Sequence, residues 1–153
     1  MRLKTVVDNA RAAGYPIKVA LIAAPSDLGT AFALWGKPDK YARFLGLELQ
    51  FLYKGRLLIV MPDGFGFFHY AKQTPEARVL KPLHVQQGTT GLARSAVDAV
   101  AALARAAGHP IAVPPAKSQS SGLSDRTLIV FAVAVLVAAF AGLELWRRAR
   151  RSG

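Results

Sequence analysis

Two aspartates stand in loops where a carboxylate could do chemistry. Asp27 follows an apolar run that begins at Ile17, and Asp63 lies in a Pro-Asp-Gly turn between two further apolar runs. Loop carboxylates can bind a divalent cation and activate water, so both are candidate catalytic residues of a phosphatase-like, divalent-cation-dependent hydrolase. Each also has an ordinary structural role, Asp27 as a helix cap and Asp63 as a turn former, and we favour these roles.

The remaining residues with catalytic or metal-binding chemistry are scattered. His69, His84 and His109 fall at a predicted strand end, in a loop and after a predicted helix end, which does not favour a metal site. The absence of cysteine from the chain excludes thiol catalysis and disulfides. Since the chain also lacks a phosphate loop, a dinucleotide-binding glycine motif, a zinc motif and a nucleophile elbow, we predict no cofactor and no metal.

A second group of residues favours recognition rather than catalysis. Aromatic and basic residues recur between Trp35 and Arg56, where they would suit a protein partner, an anionic envelope polymer or lipid headgroups. The competing interpretation is core packing, which we expect for Phe44 and partly for Trp35. The predicted binding residues are Trp35, Tyr41, Arg43, Tyr53, Lys54 and Arg56.

Alternating helices and strands would position these residues. Hydrophobic spacing predicts a first helix that ends at Gly14, a central strand over 17–23 and a short helix over 28–35. A further helix over 40–49 would have Asp39 as its cap and would place Phe44 and Leu45 in the core.

The second half of the domain starts with a predicted β-hairpin. Its strands are 57–61 and 65–69, joined by the turn at 62–64, and 51–53 could extend the pairing. A helix over 91–107, capped by Thr89 or Thr90, and a short strand over 111–113 complete the elements. The expected fold class is α/β, with a mixed sheet and packed helices in residues 1–113.

A long apolar stretch near the C-terminus predicts a membrane anchor. Residues 127–146 contain a single charge, Glu144, over a length that can cross a bilayer, and a Pro/Ser linker over 114–126 precedes them. A basic tail over 147–153 follows, and its stop residues are Arg147, Arg148, Arg150 and Arg151. The lipid bilayer is therefore a predicted partner.

The net charge of +11 is spread along the chain. Before Arg147 no two basic residues are adjacent. Nucleic-acid-binding proteins usually concentrate their basic residues on one face, so we expect no nucleic-acid partner.

The order of these elements resembles that of the TPM domain family. The resemblance is carried by the strand IKVALIA, the helical stretch around YARFLGLEL and the hairpin GRLLIVMPDGFGF. It implies an extracytoplasmic α/β domain followed by a transmembrane helix, in a bacterial single-pass membrane protein. Some members are acid phosphatases or calcium-binding proteins, but the acidic cluster that a calcium site needs is absent from this sequence.

The flanking charges predict the orientation of the anchor. The arginine-rich tail favours a cytoplasmic C-terminus and a domain outside the membrane. Export would need an N-terminal signal, whereas Met1 falls inside a helical pattern, so we expect that a signal peptide is missing from this chain. The alternative is a tail-anchored protein with a cytoplasmic domain. We predict a non-enzymatic role in envelope interaction or membrane-complex assembly.

Overall fold

The computed structural model describes residues 2–70, 72 and 74–115. The predicted anchor over 127–146, its arginine tail and most of the predicted linker lie outside the described residues. The helices are α1 (Arg2–Ala12), α2 (Pro38–Glu48) and α3 (Gly88–Ala106), the strands are β1 (Ile17–Leu21), β2 (Arg56–Met61) and β3 (Gly64–His69), and two 3₁₀ segments span Pro25–Leu34 and Pro75–Leu80.

The three strands form a mixed sheet in the order β1-β2-β3. β1 runs parallel to β2, and Ile17 aligns with Arg56. β2 and β3 form an antiparallel hairpin in which Arg56 aligns with His69. β2 is therefore the central strand, and β3 has an edge that no described strand pairs with.

Helical elements cover both faces of the sheet. Helices α1 and α3 and the second 3₁₀ segment pack on one face, where Leu58 and Val60 belong to the larger core cluster. Helix α2 and the first 3₁₀ segment pack on the other, where Leu57, Ile59 and Met61 belong to a second cluster. The continuous apolar run of β2 follows from this, since a strand covered on both faces needs no polar alternation.

Two glycines let α2 approach β3 closely. A Cβ at Gly66 would overlap the backbone carbonyl of Pro38, and a Cβ at Gly46 would overlap the Phe68 ring. The first obstacle is backbone, whereas the second is a side chain that has some freedom to move. The helix can therefore rest against the edge strand only because both positions lack a side chain.

The structure confirms the predicted order of helices, strand and hairpin and corrects several local predictions. Lys37 rather than Asp39 precedes α2, and Gln87 rather than a threonine precedes α3. Phe44, predicted to be buried, is 41% exposed because it lies on the face of α2 that points away from the sheet. Neither 51–53 nor 111–113 forms a strand. In the described part of the chain, no helix is both long and apolar enough to span a bilayer.

We predict that Gly66→Ala lowers the free energy of unfolding by about 3 kcal/mol, because the added methyl forces α2 away from β3. Chemical denaturation of both variants measures this. Gly46→Ala is the comparison and should cost less, since the Phe68 ring can adjust and alanine is about 1 kcal/mol better than glycine inside a helix. Equal stability of Gly66→Ala and the wild type would show that the close approach is not needed.

Candidate functional site

The structure separates the two candidate catalytic aspartates by role. The Asp27 carboxylate accepts hydrogen bonds from the backbone N–H groups of Ala23 (2.8 Å) and Ala24 (3.0 Å), so it caps the turn that follows β1. Asp63 lies in the β2–β3 turn and lines a cleft of about 400 Å³. Asp39 also lines this cleft, whereas Asp27 does not. The carboxylate that lines the cleft with Asp63 is thus Asp39, which the sequence predicts to be a helix cap.

Basic side chains accompany these carboxylates. Arg78 and Lys81, from the second 3₁₀ segment and the residue after it, line the same cleft. Within the described ranges, no group of three or more acidic or histidine side chains is placed to hold a metal ion. His84 is exposed, and the His109 ring lies 2.7 Å from the Ala13 carbonyl oxygen, so the histidines are dispersed.

The predicted aromatic and basic binding residues divide into three environments. Tyr41 is buried on the inner face of α2, a position that favours core packing over a binding surface. Trp35 is half-buried against the same cluster. Arg43 is exposed on α2. The other three, Tyr53, Lys54 and Arg56, lie together where β2 begins, because they precede or start that strand.

A partly buried cation, Arg56, marks the start of β2, and its side chain is 21% exposed. The Arg56 guanidinium lies over the Tyr15 ring, 4.0 Å from its centroid. The Arg56 Nε is 3.7 Å from a carboxylate oxygen of Glu76. Burial, followed by the Glu76 charge, raises the pKa of Tyr15 above its usual value. The Tyr15 hydroxyl makes no hydrogen bond of good geometry among the described residues, and the well-defined contact of the cation is with the face of the ring.

Tyr53 contacts both β1 and β2 at this end of the sheet. Its hydroxyl donates a 2.8 Å hydrogen bond to the Arg56 carbonyl oxygen, and the Lys18 ammonium lies 4.4 Å from its ring centroid. Burial raises the pKa of Tyr53 above its ordinary value. The sequence places Tyr53 near basic residues. The basic residue that its ring contacts is Lys18 on β1, which the register of β1 and β2 brings close to it.

His69 ends β3 directly opposite Arg56. Burial, and then the positive charges of Arg56 and Lys72, lower the pKa of the imidazole, while Glu76 acts in the opposite direction. His69 also lines an open cleft of about 670 Å³ between α2 and β3, together with Arg43 and Lys72. The lining of this cleft therefore combines aromatic side chains with basic ones.

Large apolar side chains are exposed near α2. Phe51 and Leu52, in the turn after the helix, are 87% and 89% exposed, and Phe32 is 68% exposed. Phe44 shares the outward face of α2 with Lys40. The signal in the sequence was the stretch LGLELQFL, which holds more apolar residues than the buried face of one helix can use.

We predict that Glu76→Gln destabilises the protein by about 2 kcal/mol, because it removes the carboxylate beside a guanidinium that is largely shielded from water. Thermal and urea unfolding measure the change. Asp8→Asn is the control, since the Lys4–Asp8 pair is largely exposed, and its loss should cost about 0.5 kcal/mol or less. Equal effects of the two substitutions would contradict the role assigned to Glu76.

The lowered pKa of His69 predicts a pH dependence of stability. The unfolded chain takes up a proton near the ordinary histidine pKa of 6.5, before the folded protein does, so folding loses stability as the pH falls below about 7. His69→Gln should remove this loss. Unfolding free energies of both proteins between pH 8 and pH 5 should therefore differ progressively towards low pH. A constant difference would contradict the assignment.

Comparisons with known proteins give no match: no family model, no curated protein and no solved structure resembles the chain closely enough to match it.

Proposed function

We propose that this protein is a single-pass membrane protein whose α/β domain works by recognition at the cell envelope rather than by catalysis. The supporting observation is the exposed apolar and basic surface beside α2. We define this α2 surface by Lys40, Phe44, Phe51, Leu52 and Lys54. Its proposed partner is the anionic surface of the bilayer to which the chain is anchored.

Helical geometry explains why these residues act together. Positions 40 and 44 lie one turn apart on the outward face of α2, while Tyr41, Ala42 and Gly46 face the core. The backbone N–H of Gln50 donates to the Leu47 carbonyl oxygen, so the turn continues the helical direction towards Phe51. The apolar side chains therefore extend along one side and end at the tip of a turn.

The composition of the α2 surface fits a lipid headgroup layer. Phenylalanine and leucine side chains at a turn can enter the headgroup boundary, and each contributes about 1.5–3 kcal/mol when it leaves water. Lys40 and Lys54 can bind lipid phosphates, and each basic residue near an anionic leaflet adds about 1 kcal/mol. Glu48 is the exposed carboxylate next to Phe44, so the basic side chains are in excess.

The predicted anchor and linker would keep the domain close to the bilayer surface. Thirteen residues at 114–126 separate the domain from the span, so the tethered domain samples a thin layer above the bilayer. The charge rule then places the domain outside the cytoplasm and the arginine tail inside. A TPM-like architecture in a bacterial envelope remains part of this proposal.

The hydrolase alternative gains no supporting observation. It requires Asp27 and Asp63 to act together, whereas Asp27 is engaged by two backbone N–H groups and lines neither cleft described above. The divalent-cation-dependent hydrolase therefore stays a prediction from the sequence, and the recognition function is the one that we propose.

We predict that the α2 surface contacts anionic lipid in the full chain. Because the chain has no cysteine, a fluorophore can be placed uniquely through Leu52→Cys, with Asp98→Cys on α3 as the matched control site. In nanodiscs with nitroxide-labelled lipid and 30% anionic lipid, quenching at position 52 should be at least about twofold stronger than at position 98.

Two changes test the cause of that contact. Added Phe44→Ser and Phe51→Ser substitutions should reduce quenching at position 52 to the level of the control site, since they remove the apolar contribution. Removing the anionic lipid should reduce quenching at position 52 only in part, because the charge contribution is lost while the apolar one stays. Equal quenching at positions 52 and 98 in the unaltered domain would overturn the proposed lipid contact.

A further inference from the structure

The outer edge of β3 presents backbone hydrogen-bonding groups. The N–H of Ile22 donates to the Val60 carbonyl oxygen, so Val60 directs its backbone groups towards β1. Val60 aligns with Phe65 across the hairpin, and Leu58, which has the same orientation, aligns with Phe67. Phe65 and Phe67 therefore direct their N–H and C=O groups away from β2. In the described part of the chain, these four groups have no hydrogen-bond partner.

The two clefts described above lie along this edge and form one groove. Both are lined by Asp39 and Phe67, and together they extend along β3 from Gly64 to His69 and include Tyr70 just beyond it. We call this feature the β3 groove. Its length corresponds to a strand of six residues, or roughly 20 Å at about 3.3 Å per residue.

Two elements form the walls of the β3 groove. Helix α2 supplies Arg43 and Leu47 to the larger cleft, and the second 3₁₀ segment supplies Ala77 and Arg78 to the smaller one, where Asp39 is the α2 residue. An extended polypeptide lying between these walls would meet the free backbone groups of β3. This is the geometry in which peptides add a strand to a sheet edge.

The edge lacks the features that usually prevent strand addition. Proteins commonly protect such edges with prolines, bulges or charged residues on the strand itself. The strand GFGFFH has no proline and no lysine, arginine or carboxylate, and its pairing with β2 is continuous over six residues. The basic residues stand on the walls instead, where they can contact a bound segment.

The charges along the β3 groove select the type of segment. The basic side chains that line it outnumber the two carboxylates, Asp39 and Asp63. The basic residues are Arg43, Lys72, Arg78 and Lys81. This excess favours a ligand of negative charge and disfavours a second copy of the chain, since edge-to-edge pairing would bring the same cations together.

We propose that the β3 groove binds an extended acidic polypeptide segment, which adds a strand to the sheet beside β3. The segment exchanges backbone hydrogen bonds with Phe65 and Phe67, and its carboxylates meet the basic walls. This function goes beyond the lipid contact of the α2 surface, since it assigns a protein partner to a different part of the domain. Either can hold without the other.

The test uses the full chain in detergent micelles and a synthetic peptide, Glu-Val-Glu-Val-Asp-Val-Glu, with a fluorescent label. Binding is measured by anisotropy, and backbone contact is measured by amide hydrogen exchange. The amides of Phe65 and Phe67 should become protected at least about tenfold by saturating peptide. The amides of Gly66 and Phe68, which already pair with β2, should change little.

Matched peptides and variants separate charge from strand addition. The double variant Arg78→Glu/Lys81→Glu should weaken binding at least about tenfold, whereas Arg94→Glu/Arg105→Glu, with the same change of net charge on exposed α3 residues, should not. A peptide with alternate amides N-methylated should bind at least about tenfold more weakly, since it cannot donate to the strand edge.

Four results would overturn the proposal. They are no binding of the peptide at millimolar concentration, equal binding of the N-methylated peptide, tighter binding of poly(glycerol phosphate) than of the peptide at this groove, and concentration-dependent dimerisation that protects Phe65 and Phe67 without peptide. Equal binding of the N-methylated peptide would mean that charge attraction alone explains binding. Tighter binding of poly(glycerol phosphate) would identify an anionic polymer as the ligand, and dimerisation would identify a second copy of the chain.

Discussion

Burial of the central strand on both faces is the constraint on which the rest of this domain depends. The five residues from Leu57 to Met61 are at most 3% exposed, which requires helices on each side of a sheet of only three strands. Helices α1 and α3 satisfy this requirement on one face and α2 on the other. Because the sheet is so narrow, each outer strand must combine core packing with an edge.

The charged side chain of Arg56, at the start of this strand, is unfavourable to remove from water. Arg56 enters the sheet where the apolar run begins, and its side chain shares a face with Leu58 and Tyr15. A charge so placed needs compensation, and Glu76 and the Tyr15 ring provide it. The second 3₁₀ segment, which carries Glu76, is thereby tied to the start of β2, and it also lines part of the β3 groove. The second 3₁₀ segment therefore both compensates the charge of Arg56 and lines the groove.

The same narrowness explains the two proposed recognition surfaces. Helix α2 uses one face to cover Ile59 and Met61, so its opposite face is left with apolar residues that no other described element covers. The glycines at positions 46 and 66 let this helix sit close to β3, which leaves the strand edge open between helix and 3₁₀ segment. Both surfaces follow from how few elements cover the central strand.

The sequence by itself determined the order of the elements and the hairpin. Apolar runs, the Pro-Asp-Gly turn and glycine helix ends are local signals, and each depends on residues close in the chain. The spacing also placed Tyr53, Lys54 and Arg56 together, since they are neighbours in sequence. The predicted span over 127–146 is a local signal of the same kind, and it lies outside the described residues.

Only the tertiary structure decided which residues meet across elements. Phe44 and Tyr41 have similar apolar character, and their burial was decided by which face of α2 met the sheet. Asp39 lines the same cleft as Asp63, whereas Asp27 does not, because α2 lies against β3. The free edge of β3 depends on the strand order β1-β2-β3, which pairs residues about 40 positions apart. Such long-range pairing leaves no pattern within a short window of sequence.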